Sequence, residues 1–249
     1  MRVIAKLDVK PPNVVKPVHF EGLRKMGVPS RLAQTYYELG ADEIVYIDIV
    51  SSLYRREILF EQIEETTKEV FVPFAVGGGV TSIEDFSRLF HSGADKVIIN
   101  SYALQTDAGI IDQAARIFGS QAVVVNIEAK RVSSGWNCYS DCGRIPSAKN
   151  VAEWVAEVQS RGAGEILLQS VDCDGRQRGF DIELVASVVD KTSIPVVAAS
   201  GAGTLDDILN VAIQAKPSAI ALASVLHYEK LSVREVKEAL RENGVEVQL

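Results

Sequence analysis

Four segments of this chain recur in the same order at an almost constant offset, and no other feature constrains its fold so tightly. PFAVGGGVTSIED (73–85) lines up with PVVAASGAGTLDD (195–207), 122 residues further on. GADEIVYID (40–48) matches GAGEILLQS (162–170) at an offset of 122, and KVIINS (96–101) matches AIALAS (219–224) at 123. LDVK (7–10) matches IEAK (127–130) at 120. One such match arises by chance; four in order mean that two similar halves, about 1–120 and 121–249, make up the chain.

Within each half, β-branched runs alternate with amphipathic stretches. Strands are predicted near 3–9, 43–49, 70–76, 96–100, 122–127, 165–170, 194–199 and 219–224. Helix-like segments lie between them. SRLAQTYYELG (30–40) carries apolar residues at helical spacing and ends on glycine, and SIEDFSRLFHSG (82–93) opens with Ser82 and Asp85 three residues later, close to a capping box. Eight strand–helix units without a long polar linker predict one α/β domain, a (β/α)8 or TIM barrel with a two-fold half-barrel repeat. The length of 249 residues suits that architecture, which typically takes about 250.

Composition narrows the function classes. A net charge of -7 without long blocks of one sign argues against a nucleic-acid surface and for a soluble, cytoplasmic protein. The N-terminal MRVIAKLDVK alternates charge and is not read as a signal peptide. No apolar run approaches the roughly eighteen residues of a membrane span, so no membrane association is expected. The three cysteines, Cys138, Cys142 and Cys173, form no CxxC pair and are read as reduced thiols. His19, His91 and His227 form no cluster, no metal-ligand spacing appears, and neither a metal nor a cofactor is expected.

Sites on such barrels lie at the C-terminal strand ends. Asp8 and Glu128 end strands at equivalent places in the repeat, each followed by a lysine at the same offset (Lys10, Lys130), and two carboxylates facing across a barrel mouth suit general acid and base work. The plainer alternative is that each accepts hydrogen bonds from loop amides. Gly77-Gly78-Gly79 follows the third strand and Ser200-Gly201-Ala202-Gly203 the seventh. Glycine lets a phosphate approach backbone N–H groups, and a helix start adds a favourable dipole, although either turn alone is also a tight βα connection. Asn100-Ser101 and Ala223-Ser224 end strands four and eight and can complete the two cradles, which together point to a small molecule with a phosphate at each end. Asp174-Gly175, in the acidic turn after strand six, is either a site for a substrate hydroxyl or phosphate or a plain turn. The long polar segment 11–29, with Lys16, His19, Glu21, Arg24, Gly22 and Gly27, is a candidate lid, and Lys16 its candidate phosphate- or oxygen-binding residue.

Arg2, Glu43, Lys96 and Glu165 stand at the opposite strand ends. Arg2 shares parity with Asp8, and Lys96 with Asn100, so the four charges either point inward as a mutual ring or are ordinary solvated strand ends.

Read together, LDVK (7–10), GADE with IDI (40–49), VGGG (76–79), SGADKVIIN (92–100), RGAGEILLQSVDCDG (161–175) and ASVLHYEK (223–230) resemble the cyclase subunit family of imidazole glycerol phosphate synthase (HisF), essentially end to end. The sister isomerase barrel (HisA) shares the architecture but lacks this set. The resemblance implies a heterodimer with a glutaminase subunit docked at the N-terminal barrel face. Ammonia from that subunit passes up the barrel and attacks a bisphosphate ribulosyl aminoimidazole carboxamide nucleotide, giving imidazole glycerol phosphate and an aminoimidazole nucleotide. Asp8 then matches the first catalytic aspartate; Arg2, Glu43, Lys96 and Glu165 match the charged ammonia gate; Asp95 matches a glutaminase-interface position. Three features depart from the family. Glu128 replaces the second catalytic aspartate, and its extra methylene displaces the carboxylate by about 1 Å where such a shift can cost about 100-fold. Pro11-Pro12-Asn13 replaces an acidic-glycine turn with Pro17 in place of a loop glycine, and SSLYRRE (51–57) departs from the usual loop. The altered mouth keeps open an alternative, a paralogue delivering ammonia for amidation of a bacterial surface-polysaccharide sugar.

Overall fold

A computed structural model describes residues 1–18, 21–54 and 58–248. His19, and the 55–57 part of the departing loop, lie outside the described residues.

Twelve strands form the sheet: β1 (Arg2–Lys10), β2 (Asn13–Val18), β3 (Glu21–Gly27), β4 (Glu43–Asp48), β5 (Phe74–Gly77), β6 (Lys96–Ile99), β7 (Val123–Val132), β8 (Gly135–Ser140), β9 (Ile145–Asn150), β10 (Glu165–Ser170), β11 (Val196–Ala199) and β12 (Ala219–Leu222). Eight of them, in the order β1, β4, β5, β6, β7, β10, β11 and β12, pair in parallel, and β12 pairs with β1 to close the barrel. All eight predicted strands are present. The third is shorter than expected: residues 70–73 stay outside β5, which is only Phe74–Gly77.

Period-2 alternation sorts the side chains. Ile4, Val45, Ala75, Ile98, Val124, Leu167, Val197 and Ala219 fill the bore in one cluster. Their odd-numbered neighbours on β1, Val3, Ala5 and Leu7, join the much larger cluster between strands and helices. The helices face this outer layer. Ile83–His91 starts on Ser82 with a reciprocal Ser82–Asp85 capping box, and Leu205–Gln214 starts on Thr204 with the same device from Asp207. These two caps are 122 residues apart, so the repeat extends to backbone detail.

Two antiparallel hairpins depart from the expected pattern. The segment expected as a lid loop forms β2 and β3, with β2 also pairing with β1 through Val9 and Val14. Beyond the barrel layer, β7 runs on into β8 and β9, whose connecting turn returns over the mouth. Among the described residues no helix is long and apolar enough to cross a membrane.

Candidate active site and charged ring

The two Gly turns owe their composition first to backbone crowding. Gly78 has φ +106°, and a Cβ there would lie 2.2 Å from the Asp48 carbonyl oxygen; Gly201 has φ +111°, and a Cβ would lie 2.2 Å from the Gly179 carbonyl oxygen. These close approaches set the turns that carry the strand ends into the mouth.

A cavity of about 660 Å³ opens at the C-terminal strand ends, lined by Asp8, Gly78, Gly79, Asn100, Ser101 and Glu128 among others. The first predicted cradle and both predicted acids therefore share one chamber. The second cradle is different. Asp174, Gly175, Gly201, Ala223 and Ser224 line a pocket of about 20 Å³ together with Lys16, which leaves room for little more than a water molecule. Lys16 occupies this end, its ammonium 3.1 Å from Asp8 Oδ2 and 3.5 Å from Asp174 Oδ1. Gly203 lies outside the lining: its N–H donates to Asp207 Oδ2 at 3.0 Å, and its backbone faces the Gln177 carbonyl. Lys10 is exposed.

The acids are held differently. Asp8 is buried on β1, with Oδ1 paired to the Lys6 ammonium and Oδ2 to Lys16. Burial alone would raise its pKa, but the two ammonium groups outweigh burial and hold it well below the usual carboxylate range. Among the described residues no ammonium lies at ion-pair distance from Glu128 on β7. Burial pushes it up to about 7 against the pull of the Gly143 N–H, which donates to Oε2 at 2.7 Å, the Lys6 charge and the Asn100 amide. The mouth thus holds one fixed carboxylate and one carboxyl that exchanges its proton near neutrality, the arrangement acid–base chemistry needs.

Several groups at the mouth went unread in the sequence. Lys6 lines both cavities with Gln169, whose Nε2 donates to Asn126 Oδ1 at 2.9 Å. Strand parity alone places Lys6 on the inward face of β1, between Arg2 and Asp8. The turn between β8 and β9 carries no such signal. Its Asp141 N–H donates to Ser101 Oγ at 3.1 Å, its Gly143 N–H holds Glu128, and Cys142 donates to the Ile49 carbonyl. Asn100 Oδ1, Gln169 Oε1 and Asp174 Oδ2 are buried at the mouth without a hydrogen-bond partner among the described residues, so a ligand with N–H or O–H groups finds acceptors there.

At the other barrel end the four charges form the ring. Arg2 pairs Nη1 with Glu43 and Nη2 with Glu165, while Lys96 lies 2.8 Å from Glu43 Oε2 and 2.8 Å from Glu165 Oε2. The solvated alternative fails for the acids, since Glu43 and Glu165 are buried. Burial raises Glu43, with Lys96 and Arg2 opposing. Asp95 is exposed at this same end, and its carboxylate accepts from the Phe74 N–H at 2.8 Å.

Residues 2–232 match the family model described as Histidine biosynthesis protein. The chain is 44% identical over 248 residues to the imidazole glycerol phosphate synthase subunit HisF of Natranaerobius thermophilus, covering 100% of this chain and 98% of that one. It is 43% identical over 248 residues to the protein of the same name from Dehalococcoides mccartyi, and 42% identical over 249 to that of Helicobacter hepaticus, with the same coverage in both. With a family model matched over residues 2–232 and relatives more than 40% identical over 98% of their length, the chain belongs to the histidine biosynthesis protein family.

Proposed function

We propose that this protein is a synthase and cyclase subunit of the HisF type. It takes ammonia from a glutaminase partner docked at the N-terminal barrel face, near Asp95 and the charged ring. It converts the bisphosphate ribulosyl aminoimidazole carboxamide nucleotide to imidazole glycerol phosphate and an aminoimidazole nucleotide. The observation that carries this reading is the pair Asp8 and Glu128, set across one mouth with opposite proton affinities and standing above a closed ring of two cations and two anions. Asp8 serves as the base and Glu128 as the acid that returns a proton to the departing nitrogen. One phosphate binds at Gly78, Gly79, Asn100 and Ser101. The other binds at Asp174, Gly175, Gly201, Ala223 and Ser224, after Lys16 shifts from Asp174 onto the phosphate.

The unequal cradles favour a second reading. A pocket of about 20 Å³ already bridged by Lys16 and Asp174 suits a substrate anionic at one end only, as in ammonia delivery for amidation of a surface-polysaccharide sugar. One assay separates the two: the ribulosyl nucleotide is given to the purified protein with ammonium salt at about pH 8, where free ammonia replaces the glutaminase. Imidazole glycerol phosphate formation supports the cyclase. Its absence, together with complex formation with a glutaminase, supports the second reading, and recovery in Glu128→Asp would trace the difference to one methylene.

A further inference from the structure

Lys6 is a lysine inside the barrel, only 4% exposed. It shares the inward face of β1 with Arg2, Ile4 and Asp8, and stands between the apolar bore and the mouth. A buried ammonium without a partner is strongly destabilising, so its retention calls for a specific use. Its ion pair with Asp8 Oδ1, beside that of Lys16 with Oδ2, ties each carboxylate oxygen to a different cation and fixes the plane of the group. It also lines the chamber shared by Asp8 and Glu128.

We propose that Lys6 is a positioning residue for Asp8 and a cation shared across the chamber with Glu128, so that it orients Asp8 and divides the base and acid roles between the two. The assignment of those roles rests on the cyclase reading; the placement of the cation does not. The charged and titratable groups that share these cavities or interact with Lys6 include Asp8 on its own strand, Lys16 on β2, Asp48 at the end of β4, Glu128 on β7, Asp141 and Cys142 in the turn between β8 and β9, Asp174 after β10, and His227. Burial pushes His227 down to about 4, so it is neutral at working pH. Lys16 alone cannot replace Lys6, because it is shared with Asp174 and reaches only Oδ2. The Lys6 charge favours ionised Glu128 as well, so its removal acts on both acids in the same direction.

The test is side-chain carboxyl carbon NMR on the unliganded full chain, following Asp8 and Glu128 from about pH 4 to 9 in wild type, Lys6→Met and Lys6→Arg. In wild type Asp8 stays flat and Glu128 titrates near 7. In Lys6→Met Asp8 begins to titrate inside that range and the Glu128 midpoint rises by about one unit or more; in Lys6→Arg, which keeps the charge, Asp8 stays flat and Glu128 stays near its wild-type midpoint. Should Lys6→Met fail to fold, Lys6→Gln makes the same comparison. Unchanged midpoints in the neutral variant, or a change confined to Asp8, overturn the proposal. The alkaline limb of ammonium-dependent turnover should move with the Glu128 midpoint; a limb that stays put while both midpoints move also overturns it. Absence of turnover in the wild-type protein would instead sink the cyclase reading and leave the titrations to decide the role of Lys6.

Discussion

The backbone N–H of Gly143 donates to Glu128 Oε2 at 2.7 Å, so the acid on β7 is held from the turn between β8 and β9, which follow β7 in one antiparallel run. The same turn reaches the first cradle through Asp141 and Ser101. Its residues Asp141, Cys142 and Gly143 all have positive φ, a local conformation kept by these contacts at the mouth.

Removing the proton of Glu128 should remove the acid step. Glu128→Gln keeps an acceptor for Gly143 but cannot exchange a proton, and turnover should fall by about 100-fold or more with substrate affinity little changed. Steady-state kcat and KM check this.

The pH dependence follows from the direction of the shift. The folded pKa of Glu128, about 7, lies above its unfolded value of 4.5. The folded state therefore binds more protons between these values, and stability falls as pH rises through that window. Glu128→Gln should be more stable than wild type at pH 8, by roughly 2–3 kcal/mol at most, and nearly equal to it at pH 4. Denaturant midpoints at the two pH values measure the difference. Turnover per unit of free ammonia should decline about tenfold per pH unit above 7.

In the ring, Glu165→Gln leaves Arg2 and Lys96 with Glu43 alone. Both cations are partly exposed, so the loss is discounted to roughly 1–3 kcal/mol. Glutamine-dependent turnover of the complex should change relative to ammonium-dependent turnover of the free subunit, which equilibrium unfolding and parallel assays resolve.

Gly78→Ala and Gly201→Ala should each destabilise by roughly 2 kcal/mol or more, since both positions combine positive φ with a carbonyl 2.2 Å from the new Cβ. Thermal unfolding tests this directly.

The barrel was legible because its signals are periodic. Inward and outward residues alternate along each strand, and the offset of 122 carries Ser82 with Asp85 onto Thr204 with Asp207. The ring became legible once parity was joined to the cost of burying charge. The hairpins were not, because the glycines and prolines of 11–29 read as loop signals, while strand pairing there depends on the docking of Val9 against Val14. The inequality of the cradles was hidden for a related reason. The Gly turns match in sequence, but a side chain from one hairpin, Lys16, fills only one of them. Gly203 ends the second Gly turn, but its N–H is taken by the Asp207 side chain.

The most direct measurement is a crystal structure of Glu128→Gln with the ribulosyl nucleotide bound. The account predicts one phosphate on the Gly78–Ser101 side and the other on the Gly201–Ser224 side, Lys16 moved off Asp174, and the reacting segment between Asp8 and residue 128. A nucleotide anchored by a single phosphate, with Lys16 still bridging Asp8 and Asp174, would contradict it.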